Sequence, residues 1–210
     1  MRTVTTPIPF AGSQLDGARH VCAFFNSDEE KYRVLMPFIK DGFACGDKAV
    51  HVVNPDRRCG HLHRLTAAGI DPAAVRESGQ FELRTNTEEY LREGRFDQDR
   101  MLMAFEELAA IAKGGFRLSR IVCDMDWAGE GRAHVDELVA FESRVNDLWD
   151  RHDDVVICVY DLTKFGGDTV VDIMRTHPMI IIGGILQQNP FFVPPEDFLR
   201  EFRERRQTTN

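Results

Sequence analysis

The sequence HVCAFFNSDEEKYRVLMPF, residues 20–38, combines an apolar run, a polar turn and an amphipathic segment. The run 20–25 is apolar without alternation after His20, which is typical of a strand that helices cover on both faces. The turn at 26–30 ends in three acidic residues, which suit the positive end of a helix dipole. The apolar side chains that follow recur at helical spacing and are Tyr32, Leu35, Met36 and Ile39. This stretch therefore predicts a strand, a turn and a helix, the repeating unit of α/β proteins.

The same alternation continues along the rest of the chain. Apolar runs predict strands at 19–25, 48–53, 80–85, 119–124, 155–161 and 179–189. Helical periodicity predicts helices from near Asp28 to Gly42 and at 57–68, 97–113, 132–149, 168–176 and 195–206. We therefore predict one three-layer α/β domain over 19–206, with a mainly parallel sheet and helices on both faces. A flexible N-terminal arm is predicted at 1–18 and a short tail at 207–210.

The composition argues against several classes of protein. The 210-residue chain has a formal net charge of −8, whereas general nucleic-acid binding needs a basic face, so we expect no direct nucleic-acid contact. No apolar stretch approaches the ~20 residues of a membrane span, and residues 1–18 lack the pattern of a secretion signal. The five cysteines are dispersed along the chain, and such usage predicts a protein of the reducing cytoplasm.

The turn at 26–30 stands where nucleotide-binding α/β proteins carry a phosphate loop. Such a loop uses glycines to bring backbone N–H groups to the phosphates and a lysine to reach the outer ones. Here the turn has neither glycine nor lysine, and Asp28, Glu29 and Glu30 would repel a phosphate. We therefore predict that Ser27 or Asn26 caps the helix and that the turn binds no phosphate.

Several segments, in this order along the chain, carry a family resemblance. They are HVCAFF at 20–25, NS at 26–27, EEKYRVLMPFIKDGFACGDKAVHVV at 29–53, CDMDWA at 123–128, VVICVYDLTKF at 155–165 and RTHPMIIIGGILQQNPFFVPP at 175–195. Together they resemble the MEDS domain, the sensory domain named for methanogen, methylotroph and dichloromethane-responsive regulators. The resemblance covers residues 18–203, which is nearly the whole chain.

The resemblance implies a fold related to the RecA/KaiC-like ATPases with a degraded phosphate loop. It also implies the sensing of small molecules, which are simple hydrocarbon derivatives in the founding members. Members of the family are often fused to a helix-turn-helix or a histidine kinase, and this sequence carries neither. The output is therefore expected to pass through a separate partner, such as a kinase, an anti-sigma factor or a transcription regulator.

A ligand pocket is predicted at the carboxyl edge of the sheet, where open α/β sheets bind ligands. Aromatic side chains would supply its apolar walls, and a few groups beside them would supply polar handles. The predicted ligand-binding residues are His20, Cys22, Phe24, Phe25, Trp127, Tyr160, Asp161, His177 and Asn189. Trp127 fits either a pocket wall or the core, Asp161 fits a cap for the turn after it, and Asn189 fits a bond to its own turn.

A soft-metal site is an alternative for some of these residues. His20 and Cys22 lie two apart on one strand and so point to the same face. Cys158 and His177 would complete a set of imidazole and thiolate ligands if the first and fifth predicted strands were neighbours. The cysteines also fit buried core positions, with His20 bonded to backbone. The run CGHLH at 59–63 is discounted because residues two apart on a helix do not face each other.

The function that these features predict is that of a non-enzymatic cytoplasmic sensor. It would bind a small, largely apolar ligand, contact no membrane, need no cofactor and signal through a regulatory partner protein. A nucleotide-binding or weakly hydrolytic enzyme that uses Asp124 is one alternative, and a metal- or thiol-based redox sensor is another. Whether the chain forms a homo-oligomer stays open.

Overall fold

The computed structural model describes residues 7–17, 19–91, 94–111, 115–130, 135–149 and 151–208. The strands of this part of the chain are β1 Ile8–Phe10, β2 Ser13–Leu15, β3 His20–Phe25, β4 Lys48–Val53, β5 Phe81–Thr85, β6 Ser119–Asp124, β7 Val155–Asp161, β8 Met179–Ile182 and β9 Ile185–Gln188. Its α-helices are α1 Asp28–Ala44, α2 Arg58–Ala67, α3 Pro72–Glu77, α4 Asn86–Glu89, α5 Gln98–Ile111, α6 Val135–Trp149, α7 Gly167–Arg175 and α8 Pro195–Thr208. Short 3₁₀ segments lie at Pro55–Arg57, Asp126–Glu130 and Leu162–Lys164.

Seven of these strands form one sheet in the order β5-β4-β6-β7-β3-β8-β9. Neighbouring strands are parallel, except that β8 and β9 form an antiparallel hairpin. The central strands β4, β6, β7 and β3 are almost wholly buried, as their uninterrupted apolar runs predict. The predicted fold class, a three-layer α/β domain with a mainly parallel sheet, is confirmed.

Helices cover both faces of the sheet and divide the core into two layers. One layer, which we call the α1 side, contains Leu35 and Phe38 of α1 and Leu65 of α2. The other layer, which we call the α6 side, contains Phe141 of α6 and Phe198 of α8. Successive residues of each central strand alternate between the two layers because strand side chains point to opposite faces.

The N-terminal segment is the largest difference from the predicted fold. Residues 8–15 form the hairpin β1–β2, not part of a flexible arm, and Ile8, Phe10 and Leu15 are buried on the α1 side. Ala11 and Gly12 both have positive φ, as a tight two-residue hairpin turn requires. The sequence analysis missed this hairpin because each strand has only three residues. Residues 1–6 and 18 lie outside the described part of the chain.

The strand predicted at 179–189 is two strands. Gly183 and Gly184 both have positive φ and form the two-residue turn between β8 and β9. The apolar residues on both sides of the glycines made the run look continuous. The chain therefore reverses after β8, and β9 lies antiparallel at one edge of the sheet.

Several helix boundaries also differ from the predicted ones. α8 extends to Thr208, so the tail predicted from residue 207 begins as helix. The short helices α3 and α4 were not predicted, although side chains of Asp71 and Thr85 cap them. The helix ends predicted around 112–114 and 132–134 fall outside the described residues. Within the described ranges, no helix is both long and apolar enough to cross a bilayer.

Candidate functional site

Four side chains that can bind a metal or share a proton meet on the α6 side of the sheet. They are His20, Glu142, Cys158 and His177, and we call them the buried cluster. Each residue is at most 3% exposed, and one ligand atom from each lies within 4.8 Å of the others. Burying polar groups costs free energy unless they are partnered. Four such groups inside an apolar core therefore mark a candidate functional site.

Four different elements bring these side chains together. β3 and β7 are parallel neighbours with Cys22 opposite Cys158, which meets the condition that the metal alternative sets. His20 and Cys22 share the face toward α6, because residues two apart on a strand point the same way, and Cys158 lies beside Cys22 in register. Glu142 projects from the middle of α6, and His177 lies in the short connection between α7 and β8.

The carboxylate of Glu142 is at the centre of the cluster. Its Oε2 lies 3.2 Å from Nε2 of His20, 3.4 Å from Nε2 of His177 and 3.5 Å from Sγ of Cys158. The same Sγ lies 3.7 Å from Nε2 of His20, and the two imidazole ring centres are 4.0 Å apart. The other carboxylate oxygen, Oε1, accepts a hydrogen bond of 2.6 Å from the hydroxyl of Tyr160.

Hydrogen bonds on the far side of each imidazole determine which nitrogen carries the proton. The amide nitrogen of Asn146 donates to three backbone carbonyls, so its Oδ1 accepts from Nδ1 of His20, at 2.9 Å. Nδ1 of His177 lies 2.8 Å from the carbonyl oxygen of Ile173, which can only accept. In neutral rings, both Nε2 atoms therefore present lone pairs to the cluster. Nε2 of His177 has no hydrogen-bond partner among the described residues, although Glu142 lies within 3.4 Å.

Burial sets the protonation of the surrounding groups. Burial, with a further contribution from His177, lowers the pKa of His20, so this imidazole is neutral near pH 7. Burial and the neighbouring charge of Glu142 raise the pKa of the Cys158 thiol and of the Tyr160 phenol. Both groups therefore keep their protons and direct them toward the carboxylate. The lone pairs of the two Nε2 atoms and Oε2 of Glu142 converge, and this arrangement can bind a cation or hold a shared proton.

The aromatic residues predicted to line one pocket are separated in the structure. Phe24 lies on the α6 side, with its ring centre 5.6 Å from that of Tyr160. Phe25 packs in the α1 side, because it is the next residue on the strand and points to the opposite face. Phe24 and Phe25 therefore face opposite sides of the sheet, although Phe25 and Tyr160 both line a cleft at its carboxyl edge. Trp127 is fully buried and stacks on Tyr90 at 5.0 Å, so of its two predicted roles the structure favours the core.

Cys22 does not take the place that the metal alternative assigns to it. The alternation of β3 does put it on the same side as His20, within the α6-side core. However, its Sγ lies 3.7 Å from the carbonyl oxygen of Met179, on the neighbouring strand β8. Glu142 replaces Cys22 as the fourth member of the cluster.

Two further predicted residues have the structural roles that their turns suggest. Asp161 accepts hydrogen bonds from the backbone N–H and the hydroxyl of Thr163, so its predicted capping role is confirmed. Asn189 accepts the backbone N–H of Phe191, which is the predicted bond to its own turn. The amide nitrogen of Asn189 also donates to the carbonyl oxygen of His177 at 2.7 Å. This bond ties the turn after β9 to a member of the buried cluster.

The carboxyl edge of the sheet, where the sequence predicts the ligand pocket, carries charged side chains. Its cleft is lined by the charged side chains Asp28, Lys31, Arg57 and Asp126 and by three residues of the predicted pocket, and we call it the carboxyl-edge cleft. Those three residues are Phe25, Tyr160 and Asp161. The cavity there is about 10 Å³, which is about the room that one water molecule needs. The charged groups of this cleft do not suit an apolar ligand. The predicted handles His20 and His177 lie away from the cleft, in the buried cluster.

The turn that opens α1 is occupied by groups of this chain. Ser27 accepts the backbone N–H of Glu30 at 3.2 Å, which confirms the predicted cap. The Glu30 carboxylate in turn accepts the backbone N–H of Asn26. Nζ of Lys31, one residue further along α1, lies 3.3 Å from both carboxylate oxygens of Asp124. The cap and the ammonium group at this helix start thus already have partners within the chain.

The sequence analysis missed Glu142 and Asn146. They lie one helical turn apart on the buried face of α6, among Leu138, Val145 and Trp149. Polar residues at positions i and i+4 within the apolar stripe of an amphipathic helix are the signal that could have found them. Asn146 positions His20, and Glu142 contacts every other member of the cluster.

Comparison with known proteins identifies a family and shows a loose likeness to solved structures. Residues 19–178 match the family model of MEDS, described as the methanogen/methylotroph, DcmR sensory domain. No curated protein matches the chain. Among solved structures, the flagellar accessory protein FlaH from Methanocaldococcus jannaschii is 17% identical, with 81% of this chain and 75% of that chain covered and a TM-score of 0.47. A likeness this loose carries no information about function.

Proposed function

The chain belongs to the MEDS family, and from this premise we propose that it is a sensory and regulatory protein without an enzymatic reaction of its own. The family match spans most of the α/β domain, which supports a sensory role for the domain as a whole. The proposed signal is a small, largely apolar molecule. The proposed receiver is a separate regulatory protein, such as a kinase, an anti-sigma factor or a transcription regulator, with no direct contact to nucleic acid or membrane.

The proposed sensing site is the buried cluster. One observation carries this choice: Nε2 of His177 is completely buried and has no hydrogen-bond partner among the described residues. A buried nitrogen without a hydrogen bond lowers the stability of the fold, and a ligand that donates a hydrogen bond to it would restore that free energy. A small molecule with one polar group could bond to the cluster while its apolar part packs against Phe24 and Ile173 of the α6-side core.

The proposed route of the signal leads from His177 to the β8–β9 hairpin. His177 lies two residues before β8, and its carbonyl oxygen accepts the side chain of Asn189, just after β9. The backbone N–H of Asn189 also bonds to the carbonyl oxygen of Pro178. Both ends of the hairpin are thus fastened beside the cluster, so a displacement of His177 on ligand binding would reach the hairpin.

A ligand screen by thermal shift tests this function. We expect a hit among short alcohols, halocarbons, aromatic compounds and fatty acids, because a ligand at a hundredfold excess over its Kd stabilises the fold by about 2.7 kcal/mol. The hit should also slow amide hydrogen exchange in β8–β9. If no compound of these classes stabilises the protein at millimolar concentration, the proposed ligand class is wrong.

A further inference from the structure

The buried cluster has both the donor atoms and the spacing of a metal site. We propose that it binds one divalent metal ion of the zinc class through His20, Glu142, Cys158 and His177. This inference rests on the proposed function in one respect, since it places a metal at the proposed sensing site, where the small molecule would bind as a fifth ligand of the metal. The metal can be measured without any small ligand, so the two proposals fail separately.

Four of the six distances between the donor atoms match a tetrahedron, and the other two are at most 4.8 Å. At ordinary zinc bond lengths, a nitrogen and an oxygen ligand are separated by about 3.3–3.4 Å, and a sulfur is separated from either by about 3.5–3.6 Å. The nitrogen–oxygen distances in the cluster are 3.2 and 3.4 Å. The sulfur–oxygen and sulfur–nitrogen distances are 3.5 and 3.7 Å. Four edges of the tetrahedron are therefore in place without any movement of the side chains.

The orientation of the imidazoles also suits a metal. Nδ1 of His20 donates to Asn146 and Nδ1 of His177 donates to a backbone carbonyl, which are the outer hydrogen bonds that orient metal-binding histidines. Both Nε2 lone pairs face Oε2 of Glu142, so acceptor atoms face one another at 3.2 and 3.4 Å. A cation between them turns this repulsion into attraction. Tyr160 supplies the matching outer bond to the carboxylate.

Charge and proton balance are consistent with a divalent ion. The bond to sulfur forms as the Cys158 S–H bond breaks, and that proton is released to solvent. The thiolate and the Glu142 carboxylate then carry two negative charges, and the imidazoles remain neutral. A divalent ion makes the buried site neutral overall, which lowers the cost of keeping these charges out of water. Mixed imidazole, thiolate and carboxylate ligands in a tetrahedron are typical of zinc.

Metal content and Co²⁺ spectra of the 210-residue chain test the site. The parent for all measurements is the Cys45→Ser/Cys59→Ser variant, because these two exposed thiols could bind metal adventitiously. We expect one zinc ion per chain after refolding in Zn²⁺. We also expect Co²⁺ to give the intense visible bands of a tetrahedral site and a thiolate charge-transfer band.

Three further substitutions in this parent locate the metal. Cys158→Ser should abolish the charge-transfer band and weaken Zn²⁺ binding by at least about tenfold. Cys22→Ser is the matched control, because Cys22 is a buried cysteine directly opposite on β3, and it should leave both unchanged. Glu142→Gln should keep the charge-transfer band but weaken binding. A folded parent that binds no stoichiometric metal, or equal behaviour of the Cys158 and Cys22 variants, would overturn the proposal.

Discussion

Nζ of Lys31 lies 3.3 Å from each carboxylate oxygen of Asp124, and both side chains are less than a tenth exposed. Asp28 lies 3.2 Å from the same ammonium group. Lys31 is thus the buried cation at the start of α1, and two carboxylates of this chain surround it. In a phosphate-binding α/β protein, a lysine near this position would face the nucleotide instead.

This arrangement predicts that the protein does not bind ATP below millimolar concentration. The cap on α1 and the partners of Lys31 would have to be displaced, and Asp28 and Asp124 would repel the phosphates. Calorimetry with Mg-ATP measures this directly. A micromolar Kd would contradict the prediction and support the nucleotide-binding alternative.

The ion pair of Lys31 and Asp124 predicts that replacing Lys31 lowers the stability of the fold. Lys31→Met should lower the free energy of unfolding by about 3–5 kcal/mol, because it leaves the buried Asp124 carboxylate without its partner. Lys40→Met is the control on the exposed face of the same helix and should change stability by less than about 0.5 kcal/mol. Urea denaturation of both variants gives the values. Similar unfolding free energies for Lys31→Met and Lys40→Met would show that the ion pair of Lys31 and Asp124 contributes little to stability.

Trp127 should behave as a core residue. Trp127→Ala should cost about 3–5 kcal/mol of unfolding free energy, because the ring is fully buried against Tyr90 and Phe96. Phe191→Ala removes another large aromatic side chain, but one that is 59% exposed, and should cost far less. A stable, folded Trp127→Ala variant would return this residue to the role of a pocket wall.

Two buried histidines of the α1 side, His51 and His61, predict that the fold loses stability at acid pH. Burial, with a smaller contribution from Lys31, lowers the pKa of His61 to about 4, while the unfolded chain has an ordinary value near 6.5. Between these values the unfolded state binds a proton that the folded state does not, so stability falls as the pH drops from about 6.5 to 4. The full effect is about 3 kcal/mol. His51, which bonds to His61 at 2.9 Å, also has a lowered pKa, mainly from burial, and acts in the same direction.

Denaturation curves at several pH values measure this dependence. His61→Phe should be less stable at pH 7, because it loses bonds to Tyr32 and His51, but its stability should fall less steeply toward pH 4. His63→Phe replaces an exposed histidine of the same helix, and its stability should fall toward pH 4 as steeply as that of the unsubstituted protein. Equal slopes in the two variants would refute the assignment of this dependence to His61.

The layered fold follows from the sequence because buried parallel strands are long apolar runs between helical patterns. β3, β4, β6 and β7 lie where these runs predict them. The β1–β2 and β8–β9 hairpins were not predicted from the sequence. Their strands have three or four residues, which is too few to recognise a repeat of apolar residues. Their turns, at Ala11–Gly12 and Gly183–Gly184, depend on positive φ, which the sequence only suggests.

The site could be predicted only in part. The sequence named His20, Cys158 and His177 as possible partners on the condition that the first and fifth predicted strands were neighbours, and β3 and β7 are neighbours. Glu142 comes from a helix, and the rotation of α6 over the sheet is set by its packing rather than by any local motif. Phe25 points to the face opposite Phe24, as strand alternation requires, and lines the carboxyl-edge cleft with Tyr160.

The central claim is that the sensing site is the buried cluster and not the carboxyl-edge cleft. Two matched substitutions separate these sites, since Glu142→Gln and Asp126→Asn each replace a buried carboxylate by an amide of nearly the same shape. The direct measurement is the ligand-induced rise in unfolding free energy for the strongest hit of the screen, relative to each variant without ligand. We predict that the rise of about 2.7 kcal/mol at a hundredfold excess is lost in Glu142→Gln and kept in Asp126→Asn. A rise that is kept in Glu142→Gln and lost in Asp126→Asn would contradict the claim and move the sensing site to the carboxyl edge.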